Sequence, residues 1–362
     1  MGYLETPPSL LSAIEAQVAQ VRAPLHQQTK ALAELFELFT RDRGRLGRFN
    51  YLDDPRYRLA YLRYHLPLNF ARAVCTLRDL RRLRPEVAAF ENVVDLGAGP
   101  GSSTLATLLE LPPAPRRYFL SDRSRGALRV ARQLIDQCAE AAGLGPQDVV
   151  HRVQKLPELP EIPPRSLVWM SMVVNELRTA SGRGLDLGHL VRRLEAKLAP
   201  PGVLVLVEPA LREPGLGLLR LHDSLLASGR WRVIAPCTHQ KDCPLLRARG
   251  RPWCHFHFDW RPGRVVEEIA RPLQLSTGRS SLSYLALERT DGPEKTSAPE
   301  RPGHARVIGD PMGVRGGGAG IYVCRDGRRE TLRQGARRLG RGDRVELAKG
   351  GRSWRLVGAW GK

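Results

Sequence analysis

The stretch VVDLGAGPGSST, residues 93–104, decides how the chain is read. A short apolar run ends in an aspartate, three glycines follow at alternate positions, and small hydroxyl residues open the next segment. Gly97, Gly99 and Gly101 let backbone approach a ligand with no Cβ in the way. A helix beginning after them would turn unpaired N–H groups and a positive dipole end toward an anionic group. The spacing is GxGxG. A dinucleotide fingerprint needs GxGxxG, and its third glycine would fall on Ser102, which disfavours a nicotinamide dinucleotide.

Outward from the loop, short apolar runs alternate with helical stretches. Strands are expected at 92–96, 117–121, 166–174, 203–207 and 281–288. Helices are expected at 103–111, 126–142, 187–198 and 215–227. This alternation implies a parallel sheet covered on both faces. Asp95 stands at the end of the first strand, and Asp122 follows the second, in YFLSDRS. An acid in that second position can accept hydrogen bonds from both hydroxyls of a ribose. Loop, acids and alternation together resemble the S-adenosylmethionine site of class I methyltransferases. The fold class is therefore read as α/β, a class I (Rossmann-like) methyltransferase fold over 89–290. The resemblance implies cofactor contacts at Asp95, Gly97, Gly99, Gly101 and Asp122. Asn175 and Glu176, in SMVVNELR at the carboxyl edge of the sheet, are the candidates for the acceptor side.

Residues 1–88 read as an N-terminal helical region, with apolar residues at three- and four-residue steps. Residues 55–84 form one long helical stretch that Pro67 should break. Arginines line its other face, which is either simply solvated or in contact with RNA. Residues 291–304 are polar and rich in proline and glutamate, and read as a linker. Beyond it, 305–362 reads as a small β-rich basic unit with strands at 305–308, 320–324, 344–347 and 353–357.

The formal charge of +20 is a statement about partners. Of 57 basic residues only seven are lysine, and arginine offers a planar fork suited to phosphate. From 301 to 362 there are 15 basic and 5 acidic residues, so half of the net charge sits in the tail unit. A polyanion such as RNA is the expected partner. No run approaches the length of a membrane span.

Three cysteines, Cys237, Cys243 and Cys254, fall within PCTHQKDCPLLRARGRPWCHFHFDW, residues 236–260, and a fourth, Cys324, lies in GIYVCRDG. Six cysteines in all are too few for a disulfide scaffold. Cys75 and Cys138 lie in helical stretches and read as small apolar fillers. The other four point to metal. No tight CxxC pair is present, which weakens zinc, and Cys243-Pro244 favours an iron–sulfur cluster; from spacing alone both stay open. His239, His255 and His257 are spare ligands. HFHFDW should form a strand with Phe256, Phe258 and Trp260 on one face, where they could shield a cluster. Pro236-Cys237 carries the letters of a cytosine-C5 methyltransferase nucleophile but falls after the wrong strand.

PCTHQKDCPL followed by WCHF, after a class I glycine loop, NEL and a VEP strand end, resembles the Rsm-type methyltransferase-like family: mitochondrial small-ribosomal-subunit assembly factors and their bacterial relatives. AYLRYHLPLNFARA, residues 60–73, is similar to that family's segment ahead of the core. The resemblance implies a [4Fe-4S] cluster on Cys237, Cys243, Cys254 and Cys324, clamping the basic unit to the methyltransferase fold. It also implies binding of small-subunit ribosomal RNA during assembly, with catalytic turnover not assured. The opening MGYLETPPSL has no presequence character, and with the arginine bias it leads us to expect a bacterial cytoplasmic member. The competing readings are a catalytically active rRNA methyltransferase and a zinc-stabilised nucleic-acid-binding protein.

Overall fold

The computed structural model describes residues 3–46, 49–174, 176, 187–250, 252–290, 292, 303–314, 317–350 and 353–360. A nine-stranded sheet holds β1 (Leu4–Glu5), β2 (Asn92–Leu96), β3 (Arg117–Asp122), β4 (Asp148–Val153), β5 (Ser166–Ser171), β6 (Val203–Glu208), β7 (Trp231–Ala235), β8 (Phe256–Arg261) and β9 (Arg279–Arg289). Its central order is β4-β3-β2-β5-β6-β9. The first five run parallel, and β9 is reversed against β6. The long β9 also receives β7 on one half and β8 on the other, both antiparallel.

Side chains alternate across a strand, and this sheet uses both faces. Val93, Trp169 and Val205 turn to one side, where helices Pro55–Arg63, His65–Leu83, Ser102–Glu110 and Arg125–Ala141 add Leu62, Leu77, Leu105 and Leu134. Val94, Val168 and Leu204 turn to the other, against Leu190 and Leu194 of helix Leu187–Glu195 and Leu218 and Leu225 of helix Arg212–Ala227. The central strands are apolar on both faces, hence the continuous apolar runs. Away from the centre, β4 is a largely exposed edge strand and β7 is short.

The N-terminal segment splits at Tyr64, three residues before the proline expected to break it. Pro67 stands in the first turn of the second helix, where its missing N–H forfeits no intrahelical bond. Several arginines of this segment are tied internally, while Arg56, Arg78 and Arg82 are exposed. Arg63 bonds Gln28 and Glu268 at 2.9 Å each. Arg72 bonds the Ser281 carbonyl at 3.0 Å. Arg78 forks onto Glu110 at 2.8 and 2.7 Å. Arg84 reaches the buried Glu288 at 2.6 Å.

The C-terminal unit is an antiparallel sheet of β10 (His304–Val307), β11 (Met312–Gly313), β12 (Ala319–Arg325), β13 (Arg328–Leu332), β14 (Arg344–Gly350) and β15 (Ser353–Trp360). Asp326 and Gly327, at φ +53° and +72°, make the two-residue turn between β12 and β13, as an Asp-Gly pair favours. The unit has its own core around Val307, Ile321, Val323 and Val345. It is also fastened directly to the larger fold. Arg306 pairs with Asp79 at 2.7 Å and donates to the carbonyls of Pro236 and Gly342 at 2.8 Å each. Tyr284 donates its hydroxyl to the same aspartate. The two parts are thus joined by contacts that need no metal. Most of the expected linker, 291 and 293–302, lies outside the described residues.

Candidate functional site

Two cavities meet the residues singled out from the sequence. The first, of about 260 Å³, opens at the carboxyl ends of β2 and β3. Gly97 and Gly99 lie in it at φ +73° and +53°. A Cβ on Gly97 would stand 2.5 Å from Val173 Cγ2, so glycine is required there by space as well as by conformation. Gly101 lines no part of this cavity. It caps helix Ser102–Glu110 at φ +88°, packed on Ala131, and shapes the loop from behind.

Asp95 and Asp122 both line the cavity. One oxygen of Asp95 accepts from the Thr104 amide (3.2 Å) and hydroxyl (2.9 Å), pinning the helix start to the strand end. Burial pushes its carboxyl up to about 7. Asp122 accepts from the amides of Gly99 (2.9 Å) and Ser124 (2.8 Å), and burial raises it too, against those bonds. Glu176 reaches the same cavity, accepting from the Tyr51 hydroxyl at 2.8 Å and lying 3.7 Å from Arg123. Burial takes it from its ordinary 4.5 up to about 7. Asn175 lies outside the described residues.

Sequence reasoning missed the wall supplied by the N-terminal segment. Asn50, Tyr51, Leu52, Tyr61 and Asn69 all line the cavity. Arg123, directly after Asp122, donates to the carbonyls of Leu46 and Phe49 and straps this segment down. Tyr51 meets Glu176 across 125 positions of chain, a pairing no local pattern reveals. Gln154 also lines the cavity. Its side-chain oxygen is buried with no partner among the described residues, an acceptor left for a ligand's N–H.

The second cavity is small, about 30 Å³, and Cys237, Cys243, Cys254 and Cys324 all line it. Two distant pieces of chain thus bring four free thiols to one place. Burial pushes Cys243 up to about 12 and holds Cys254 and Cys324 well above the ordinary thiol value, reinforced by the neighbouring cysteines. They are neutral thiols until a cation offsets their charge. Cys237 lines this cavity and not the first, which removes it as a methyl-transfer nucleophile.

Of the three spare histidines only His239 is here. The Lys241 amide donates to its Nδ1 at 3.1 Å, leaving Nε2–H to donate to the Cys324 sulfur at 3.3 Å. His255 stacks on Trp253 instead, with His257 edge-on to it. The HFHFDW strand alternates as expected, but Phe256, Phe258 and Trp260 face the main core and do not line the thiol cavity. The apolar lining comes instead from Leu218, Leu219, Leu245, Leu285 and Ile308, and the cavity also has His222 and Arg306. His222 is held at Nδ1 by Asp223 (2.7 Å), and Cys237 lies beside its ring. As the side chains stand, no group of three or more His, Cys, Asp or Glu among the described residues is set to hold a metal ion.

A glycine loop at a helix start, acids on two adjacent strand ends and a parallel sheet with one reversed strand define a methyltransferase-like protein of the class I fold. Solved structures similar to the chain include the plantazolicin methyltransferase BamL with a desmethyl analogue and SAH (10% identity, 73% of this chain and 98% of that chain, TM-score 0.38). Another is precorrin-6y C5,15-methyltransferase from Geobacter metallireducens (14% identity, 59% of this chain and 84% of that chain, TM-score 0.33). No curated protein matches it in sequence. A family model does: "Mitochondrial small ribosomal subunit Rsm22" matches residues 55–349, and the chain belongs to that Rsm22 family.

Proposed function

We propose that the chain binds S-adenosylmethionine and a [4Fe-4S] cluster, docks on small-subunit ribosomal RNA, and assists assembly of the small ribosomal subunit. The observation that carries this reading is the convergence of Cys237, Cys243, Cys254 and Cys324 on one cavity. An all-sulfur donor set suits iron–sulfur chemistry. His239 would donate to the Cys324 sulfur, and the buried cation Arg306 beside the thiols would offset part of their negative charge. When bound, a cluster would supply a second tie between residues 237–254 and β12, beside the Arg306–Asp79 pair. The family's description and the +20 charge support the ribosomal partner.

In the first cavity Asp122 would take the ribose hydroxyls. The loop amides at Gly97 and Gly99 would lie against the amino-acid part, and Gln154 would accept an N–H from the base. The methyl-bearing sulfonium of the cofactor is cationic, which suits a pocket holding Asp95, Asp122 and Glu176. A second reading, an active rRNA methyltransferase, is favoured by Glu176: a buried carboxyl near neutrality, bonded to Tyr51, can accept a proton from an acceptor. We place the chain in a bacterial cytoplasm on its arginine-rich composition. The family's description is mitochondrial, and fractionation of the source cells decides between them. Among the described residues no helix is long and apolar enough to cross a membrane.

Iron and acid-labile sulfide analysis of anaerobically purified protein, beside a Cys324→Ser variant, tests the cluster. Zinc without iron, or full iron in the variant, overturns it. Tritiated-methyl transfer to immature small subunits separates the two readings: label in RNA establishes the enzyme, whereas cofactor binding without label supports the assembly role.

A further inference from the structure

We infer that the open edge of β13 and the turn after it grip RNA phosphates. This rests on the RNA-binding reading above and locates it. Arg328 and Arg329 lie on β13, and Arg337 and Arg338 on the turn Ala336–Arg338. All four are exposed. Among the described residues none of the four has an ion-pair or hydrogen-bond partner through its guanidinium. The acids nearby are already taken. Glu330 is held by Arg325 at 2.7 Å, Asp326 by Lys241 at 2.7 Å, and Asp310 by Arg341 at 2.8 Å. Among the described residues the four positive charges are therefore uncompensated by ion pairs, and mobile counterions would gather there until a polyanion displaced them.

Two further features fit a nucleic-acid backbone. The Arg329 guanidinium lies 4.7 Å from the centroid of the Tyr322 ring. Stacking of this kind fixes the plane of the fork while its edge donors stay available to phosphate. Among the described residues β13 pairs only with β12, so its other edge is open. Charge on an open edge also discourages strand-to-strand association. That purpose needs no arginines on the turn beyond the strand, where Arg337 and Arg338 lie exposed. An anionic membrane is the weaker partner. Basic surfaces that bind lipid carry apolar anchors, and no exposed large apolar side chain lies between 328 and 338.

The test is a salt titration of binding to a single-stranded uridine oligomer and to a small-subunit rRNA transcript. The parent is compared with an Arg328→Ala, Arg329→Ala, Arg337→Ala, Arg338→Ala variant. The charge-matched control is Arg22→Ala, Arg41→Ala, Arg129→Ala, Arg249→Ala, four exposed arginines elsewhere. Four lost single-strand phosphate contacts should lower the slope of log affinity on log salt by about 3, and affinity near 0.15 M salt by on the order of 100-fold. The control should lose a few-fold at most. A triple variant that keeps Arg329, and so leaves Tyr322 covered, should give about three quarters of the slope change. Equal losses in variant and control would mean that only overall charge matters and would overturn the assignment. So would an unchanged slope, or binding to phosphatidylserine vesicles that the variant alone abolishes while RNA binding persists. A parent protein that binds neither RNA would remove the ribosomal reading itself, a different failure from loss of the patch.

Discussion

Two regions of this chain are dense in arginine, and they use it in opposite ways. Within residues 55–84, Arg63, Arg72, Arg78 and Arg84 turn onto Glu268, the Ser281 carbonyl, Glu110 and Glu288. Arg328, Arg329, Arg337 and Arg338 are exposed and, among the described residues, have no acid partner. Composition cannot tell these apart, because a guanidinium counts as +1 whether or not a carboxylate lies beneath it. A basic chain is thus two things at once: a fold stitched together by internal ion pairs, and a smaller outward patch available to a polyanion.

The comparison breaks most visibly at the buried tie between the two parts. Asp79→Ala leaves Arg306 buried without its counter-ion and should cost about 3–5 kcal/mol, read by denaturant unfolding. RNA affinity measured below the transition should be unchanged. Arg84→Ala exposes one side of Glu288, which retains Arg232; about 1–3 kcal/mol is expected, again with the salt slope of RNA binding intact. Arg78→Ala removes a half-exposed pair with Glu110 and should cost only about 0.2–1 kcal/mol. If either of these two lowered the salt slope as the 328–338 variants are expected to, the division would fail.

A further expected effect is one of pH. Burial holds Glu176 and Asp95 near 7, well above their unfolded values of 4.5 and 3.8. Between about pH 4.5 and 7 the unfolded chain has released these protons and the folded chain has not, so stability contributed by these groups falls as pH rises. Thermal unfolding against pH should therefore flatten in a Glu176→Gln variant. Affinity for the cationic cofactor should rise over the last part of this range, as the carboxylates ionise.

Much of this was legible locally. The strand Asn92–Leu96 falls where the apolar run places it, and the glycines carry the positive φ that their spacing implies. The HFHFDW alternation held because period two is a property of any strand. What it packed against was not legible, since that depends on β9 arriving from residues 279–282. The four thiols line one cavity, yet the histidines beside them were misjudged. His255 and His257 were nearest in sequence, while His222 comes from a helix before the block. Tyr51 on Glu176 and Arg306 on Asp79 are separated by 125 and 227 positions. Contacts at that range are set by topology, and no spacing within the chain encodes them.

The most direct measurement is iron-edge X-ray absorption on the anaerobically prepared, RNA-free protein, with sulfide assayed on the same sample. A cluster on Cys237, Cys243, Cys254 and Cys324 should show iron with sulfur neighbours only, a short iron–iron vector, and about four iron and four sulfide per chain. Iron absent, zinc in its place, or nitrogen and oxygen around a single metal would contradict it.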